Sequence, residues 1–187
     1  MEKSRAKIGL ITMFFDLYLN GGDGLLKSCS AFAHELVENM ASMAEVVFPG
    51  VCINRSNVDS AIAGFENEDV DLIVLVFLTY APSIYALPAL LKTQKPVLLL
   101  CTQKLPAVTE TLTTLDTDEN HGVHGFQDMA SVLRRTGRPF HFLAGYWKDQ
   151  KTQTELQGWF KAAHIRQVLK HANIGLIGHP MENMGDF

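Results

Sequence analysis

The chain has 187 residues, with 47% hydrophobic and 19% charged side chains and a mass of 20.8 kDa, which excludes intrinsic disorder and fits a globular protein of ordinary domain size. Its 16 Lys and Arg against 20 Asp and Glu give a net charge of −4, which argues against a nucleic-acid partner. No apolar run is long enough to cross a membrane, and the three cysteines show no CxxC spacing. We therefore expect a cytoplasmic protein with free thiols and no membrane partner.

Apolar segments of strand length alternate with amphipathic segments of helix length. In chain order, the pattern predicts strands at residues 7–12, 45–49, 70–77, 96–101 and 139–145, and helices at 22–44, 57–66, 82–91, 125–136 and 149–172. We expect Asn57 to cap the second helix and Gly137 to end the fourth. Residues 103–120 are polar and have no clear period, and a further strand is expected to begin at 174–177.

This alternation is typical of an α/β protein with helices on both faces of a parallel sheet. Right-handed crossovers then give a three-layer, doubly wound domain of flavodoxin-like or Rossmann-like type. We expect that domain to occupy residues 1–172. Residues 173–187 begin like a new strand and are interpreted as the incomplete start of a second domain or as a linker.

Ligands of open parallel sheets bind beyond the carboxyl ends of the strands, so the residues that follow each strand are the candidate site. Rings, amides and imidazoles are frequent among them, a mixture that suits a neutral polyhydroxylated ligand better than a phosphate. The candidate ligand-binding residues at these strand ends are Phe15, Asp16, Tyr18, Tyr80, Thr102, Gln103, His121 and His124.

Motifs for phosphate binding and for nucleophilic catalysis do not occur. The glycine-rich residues 21–24 (GGDG) match neither GxGxxG nor GxxxxGK[ST] and are interpreted as a flexible connection that opens a helix. Neither GxSxG nor HExxH is present. Asp16 and Asp128 have no second carboxylate at matching spacing, Cys101 is expected to be an inert thiol, and His141 to be packed within its strand.

Two histidines three residues apart, in the segment NHGVHG at 120–125, form the sharpest local feature. They are compatible with a helix cap, with hydrogen bonds to ligand hydroxyls, or with a metal site that needs a third ligand such as Asp116 or His179. Spacing alone leaves all three open.

Several ordered segments together carry a family resemblance. They are LITMFFDLY, LTYAPS, CTQ, NHGVHGFQDM, GRPFHFLAGYWKD and IGLIGHPMENMGDF. With them the chain resembles the amino-terminal domain of the L-arabinose/L-fucose isomerase family, closest to its isomerase-like members. The resemblance implies a domain of an oligomeric aldose–ketose isomerase that acts on a pentose or a 6-deoxyhexose. It also implies that 174–187 begin the family's second domain.

In that family the metal, usually manganese, and the acid–base glutamates belong to later domains, so the resemblance implies no catalytic residue, no metal ligand and no cofactor in this chain. The amino-terminal domain is instead expected to cover a neighbouring subunit's active site in a homo-oligomer. The implied sugar contacts are Leu17, Tyr18, Tyr80 and His124. Phe15 and His121 stand where the arabinose pattern has glutamines, which puts arabinose itself in doubt, and Cys101 stands where it has histidine.

Two other functions are compatible with the same residues. One is a free-standing binding module for a small polyol. The other, less favoured, is a flavodoxin-type nucleotide or flavin binder, which the fold allows but which no phosphate loop supports.

Overall fold

A six-stranded parallel sheet organises the molecule, seen in a computed structural model that describes residues 5–173 and 175. Its strands are β1 (Lys7–Met13), β2 (Glu45–Val47), β3 (Val51–Cys52), β4 (Leu72–Phe77), β5 (Val97–Cys101) and β6 (His141–Ala144). The order is β2-β1-β4-β5-β6, with β3 also paired to β1 beside β2. All pairs are parallel, so the predicted doubly wound sheet, of the flavodoxin-like order, is confirmed.

Six α-helices are present in the described part of the chain: α1 (Gly24–Ala41), α2 (Arg55–Asn67), α3 (Leu87–Lys92), α4 (Thr114–Glu119), α5 (Gly122–Arg135) and α6 (Gln150–Lys170). Two 3₁₀ turns, Asp16–Gly21 and Ser83–Tyr85, follow β1 and β4. None of the helices in the described residues combines the length and the apolarity that a bilayer crossing requires.

Two apolar clusters lie on opposite faces of the sheet and produce the three layers. On one face, Leu10 and Val74 pack with Phe32 of α1 and Phe160 of α6. On the other face, side chains of the same strands pack with α2, α3 and α5. Strand β4 is buried along its whole length, as its continuous apolar sequence predicts for a central strand covered on both faces.

Three local predictions were wrong. Asn54, not Asn57, caps α2, and its side chain accepts the Asn57 N–H at 3.0 Å. Helix α5 begins at Gly122, three residues before the predicted start at residue 125. The segment 103–120, for which no regular structure was expected, contains α4. The short β3 was also not predicted.

Other expectations are confirmed or lie outside the described region. Gly137 ends α5 with a φ of 72°, in the left-handed region that glycine adopts without strain. Gly24 of the GGDG segment opens α1. The strand expected at 174–177 and the candidate ligand His179 lie outside the described residues, Gly175 excepted.

The sheet order creates a switch point between β1 and β4. From β1 the chain winds outward to β2 and β3, and it then returns to the other side of β1 to build β4, β5 and β6. The loops that leave β1 and β4 consequently diverge, and the crevice between them is where ligands of this architecture bind.

Candidate functional site

An aromatic cluster occupies the switch point. Phe15, just after β1, lies at its centre, with ring centroids 6.0 Å from Tyr18, 5.8 Å from Tyr80 and 6.2 Å from Tyr85. All three contacts are edge-on, the arrangement that aromatic quadrupoles favour. The loops after β1 and β4 are therefore joined by a single group of rings.

Hydrogen bonds fix the same two loops. The Thr79 hydroxyl accepts the Phe15 N–H at 3.2 Å and donates to the Tyr80 carbonyl at 2.9 Å. Tyr85 donates its hydroxyl to Asp16 at 2.9 Å. Burial, and then the bond to Asp16, raises the pKa of the Tyr85 hydroxyl. Asp16 thus acts here as a hydrogen-bond acceptor for Tyr85.

Tyr18 connects this cluster to α4. Burial first, and then the negative charge of Asp118, raises the pKa of its hydroxyl, so the phenol is protonated at neutral pH. Leu17 and Tyr18 line an open depression of about 700 Å³ whose far side is formed by α4 and the start of α1.

Thr102 and Gln103 lie where β5 ends. Gln103 borders two adjacent depressions of about 260 and 280 Å³. Thr102 borders the smaller one, and its buried hydroxyl has no hydrogen-bond partner among the described residues. Cys101, which precedes it, is partly buried, and burial raises the pKa of its thiol, which supports the expectation of an inert group.

The histidine pair stands at the start of α5. The ring centroids of His121 and His124 are 4.6 Å apart, and both side chains line the 280 Å³ depression together with Asn120. His121 occupies the cap position, but its side chain makes no capping hydrogen bond. The simple capping interpretation is therefore wrong, and both imidazoles border the depression.

A nearly buried ion pair holds the segment that carries the histidines. Lys104 donates to Glu119 at 2.6 Å and to the Ser28 hydroxyl of α1 at 2.8 Å. Asn120 accepts the Leu105 N–H at 2.8 Å. The two ends of the segment 104–120 are thereby joined to each other and to α1.

The structure places all nine predicted residues at one edge of the sheet, in neighbouring groups. Phe15, Asp16 and Tyr80 belong to the cluster at the switch point; Leu17 and Tyr18 line the depression beside α4; Thr102, Gln103, His121 and His124 line the paired depressions beyond β5.

Comparison with known proteins identifies the chain. The family described as the L-arabinose isomerase N-terminal domain matches residues 6–171. The chain belongs to this family. It is 28% identical over 175 residues to the L-arabinose isomerase of Aeromonas hydrophila, covering 87% of this chain and 34% of that protein. It is 24% identical over 151 residues to the L-arabinose isomerase of Phocaeicola vulgatus, covering 76% and 29%.

The chain thus spans about a third of the length of these curated relatives. Membership of the L-arabinose isomerase N-terminal domain family agrees with the sequence resemblance and with the α/β fold.

A metal does not fit the residues that the structure describes in this family member. No group of three or more His, Cys, Asp or Glu side chains suited to a metal ion occurs within residues 5–173. The His121–His124 pair has Asp116 along the same depression, but these residues do not form such a group.

Several residues of the site were not predicted. Tyr85 lies beyond the strand-end positions that were considered and reaches the site because the 3₁₀ turn Ser83–Tyr85 brings it back to Asp16. Leu105 and Val123 line both depressions beside Gln103. Asp128 accepts the Ser83 N–H at 3.0 Å and so positions that turn.

His141 is exposed rather than packed within the sheet, with its ring 4.4 Å from Trp159.

Proposed function

We propose that this chain is the sugar-contacting amino-terminal domain of an aldose–ketose isomerase, and that it is not catalytic by itself. The observation that carries the proposal is the family match over residues 6–171, together with relatives that are L-arabinose isomerases. Because the chain spans only about a third of those relatives, their activity belongs to this chain only as a proposal.

The chemistry of the carboxyl edge supports a sugar as the ligand. Gln103 and the two imidazoles can each donate or accept a hydrogen bond, and the half-buried ring of Phe15 offers a surface for C–H groups. The Thr102 hydroxyl, buried beside the smaller depression, lacks a partner among the described residues. A ligand rich in hydroxyls can match these groups without adding charge.

The departures from the arabinose pattern bear on which sugar is bound. Phe15 cannot make the hydrogen bond of a glutamine, and its ring is surrounded by Tyr18, Tyr80 and Tyr85. These rings offer apolar contacts to a ligand where the arabinose pattern has the amide of a glutamine. We propose a pentose or 6-deoxyhexose as the substrate class, in an oligomeric enzyme whose manganese is held by its later domains.

The test is direct binding of sugars to the purified chain, measured by saturation-transfer NMR across pentoses and 6-deoxyhexoses. We expect a dissociation constant of about 1 mM or weaker, because one open domain surrounds only part of the sugar. His124→Ala removes one hydrogen-bonding group and should weaken binding by about two- to tenfold.

His171→Ala is the matched control, since His171 is exposed at the end of α6, beside Gln167 and away from the carboxyl edge. Equal effects of the two substitutions, or no saturation transfer to any sugar, would contradict a sugar site at this edge.

A further inference from the structure

The last strand of the sheet, β6, has one side without a neighbour among the described residues. It pairs with β5 alone, in the register Leu98↔His141 to Cys101↔Ala144. Gly145 donates its N–H to the Cys101 carbonyl at 3.0 Å. Since backbone groups alternate in direction along a strand, Phe142 and Ala144 direct their N–H and C=O groups away from the sheet.

Apart from its short length, this edge lacks the features that normally prevent strands from pairing. The four residues of β6 include no lysine, no aspartate or glutamate and no proline. Phe142 is 62% exposed, and its ring centroid lies 6.3 Å from that of Phe126 in an edge-on arrangement. The edge therefore offers both free hydrogen-bonding groups and an apolar side chain.

Charges around β6 favour a partner that runs in the opposite direction. Arg166 lies near the amino end of the strand, in a cavity that it shares with His141 and Trp159. Asp149 lies near the carboxyl end, in a cavity that it shares with Phe142 and Gly145. Within the described part of the chain neither Arg166 nor Asp149 has an ion-pair partner. An antiparallel copy brings the basic end of one edge to the acidic end of the other.

We propose that β6 is the interface for a second copy of this chain, joined edge to edge by antiparallel pairing across a two-fold axis perpendicular to the sheet. That axis keeps each face of the sheet continuous across the pair, so Phe142 lies beside the partner's Phe142 on the face formed by α5. The outward amide groups of the two strands then satisfy each other, and the interface is the same patch on both copies.

A four-residue strand is short, and the flanking helices must contribute to the contact. Helix α6 packs on β6 from one face, through Trp159 against His141, and Phe126 of α5 packs on Phe142 from the other face. Pairing at the edge brings α5 and α6 of the two copies next to each other. The contact is thus formed by β6 together with α5 and α6, and not by the strand alone.

The test is sedimentation velocity of the 187-residue chain over a range of concentrations. We expect a species of twice the 20.8 kDa chain mass. Phe142→Lys places two like charges beside each other at the axis and should raise the dimer dissociation constant at least about tenfold. Leu17→Lys is the matched control, because Leu17 is an apolar residue of similar exposure that lies in the turn after β1, outside β6, α5 and α6, and should leave the dimer intact.

Hydrogen exchange distinguishes strand pairing from any other association. The amides of Phe142 and Ala144 should be protected in the dimer and lose that protection in Phe142→Lys, while the amides of the buried β4 stay protected and show that the variant is folded. A monomer up to about 0.1 mM would overturn the proposal and leave the edge to another segment or protein. So would a dimer that survives Phe142→Lys, or one that dissociates in Leu17→Lys.

Discussion

Glycines decide how closely the histidine-bearing helix approaches the sheet. Gly122 lies so near the end of β4 that a Cβ there would overlap the Phe77 carbonyl oxygen, and at Gly125 it would overlap the Phe77 ring. These two glycines look like loop residues in the sequence, yet they lie in the first turns of α5. Close packing, not chain flexibility, explains their presence.

Gly122→Ala should destabilise the protein by about 1–3 kcal/mol, because the added methyl group forces the start of α5 away from the backbone of β4. Urea denaturation measures the change. Gly158→Ala is the control, since Gly158 lies within α6 with no atom near its Cβ position, and alanine there should stabilise by about 0.5–1 kcal/mol. Equal stabilities of the two variants would mean that α5 does not depend on this close approach.

At the level of elements, the strands and the longer helices with a clear apolar pattern were predicted, and short elements without one were missed. Strands β1, β4 and β5 were found because the sheet is covered on both faces and their sequences are almost continuously apolar. The two-residue β3 carries no such signal. Helix α4 has only six residues, and its one buried side chain is Glu119, whose charge is matched by Lys104. A pattern of apolar residues cannot reveal a helix held by an ion pair.

The one local signal for α4 was its capping box. Thr113 accepts the Asp116 N–H with its hydroxyl, and the Asp116 carboxylate accepts the Thr113 N–H at 2.9 Å and its hydroxyl at 2.7 Å. These bonds, the Thr113 hydroxyl first, hold the pKa of Asp116 below its ordinary value. A threonine three residues before an acidic residue is a helix-start signature that composition alone hides.

Acid should therefore loosen α4 before it affects the sheet. A depressed pKa means that the stabilising contribution of the Asp116 carboxylate is complete above the unfolded value of about 3.9 and is lost as the pH falls through the lower folded value. We expect NMR shifts of residues 114–119 to move toward coil values in that range. Asp116→Asn should remove this transition, whereas Asp118→Asn, in the same helix but outside the capping box, should preserve it. A transition that is unchanged in Asp116→Asn would assign it to another group.

At the level of the whole molecule, the strand order brings together residues that no single sequence motif contains. The doubly wound order brings the ends of β1, β4 and β5 to one edge, so residues far apart in the sequence, such as Phe15, Tyr80 and Gln103, lie at the same edge of the sheet. Strand–helix alternation was sufficient to predict that convergence. It was not sufficient to predict Tyr85 or the Lys104–Glu119 pair, because these contacts depend on how two loops turn back toward the sheet.

Three carboxylates of this edge already make structural hydrogen bonds or an ion pair, which makes them unavailable as an acid or base for turnover. Asp16 accepts from Tyr85, Asp116 caps α4, and Glu119 is paired with Lys104. Moving a proton between neighbouring sugar carbons needs an acid or base positioned against the substrate. We therefore expect the 187-residue chain, supplied with manganese, to form no ketose above a blank without protein. The complete L-arabinose isomerase of Aeromonas hydrophila is the positive control. Ketose formed by this chain and lost in His124→Ala would show that the edge is itself an active site rather than a sugar-contacting surface.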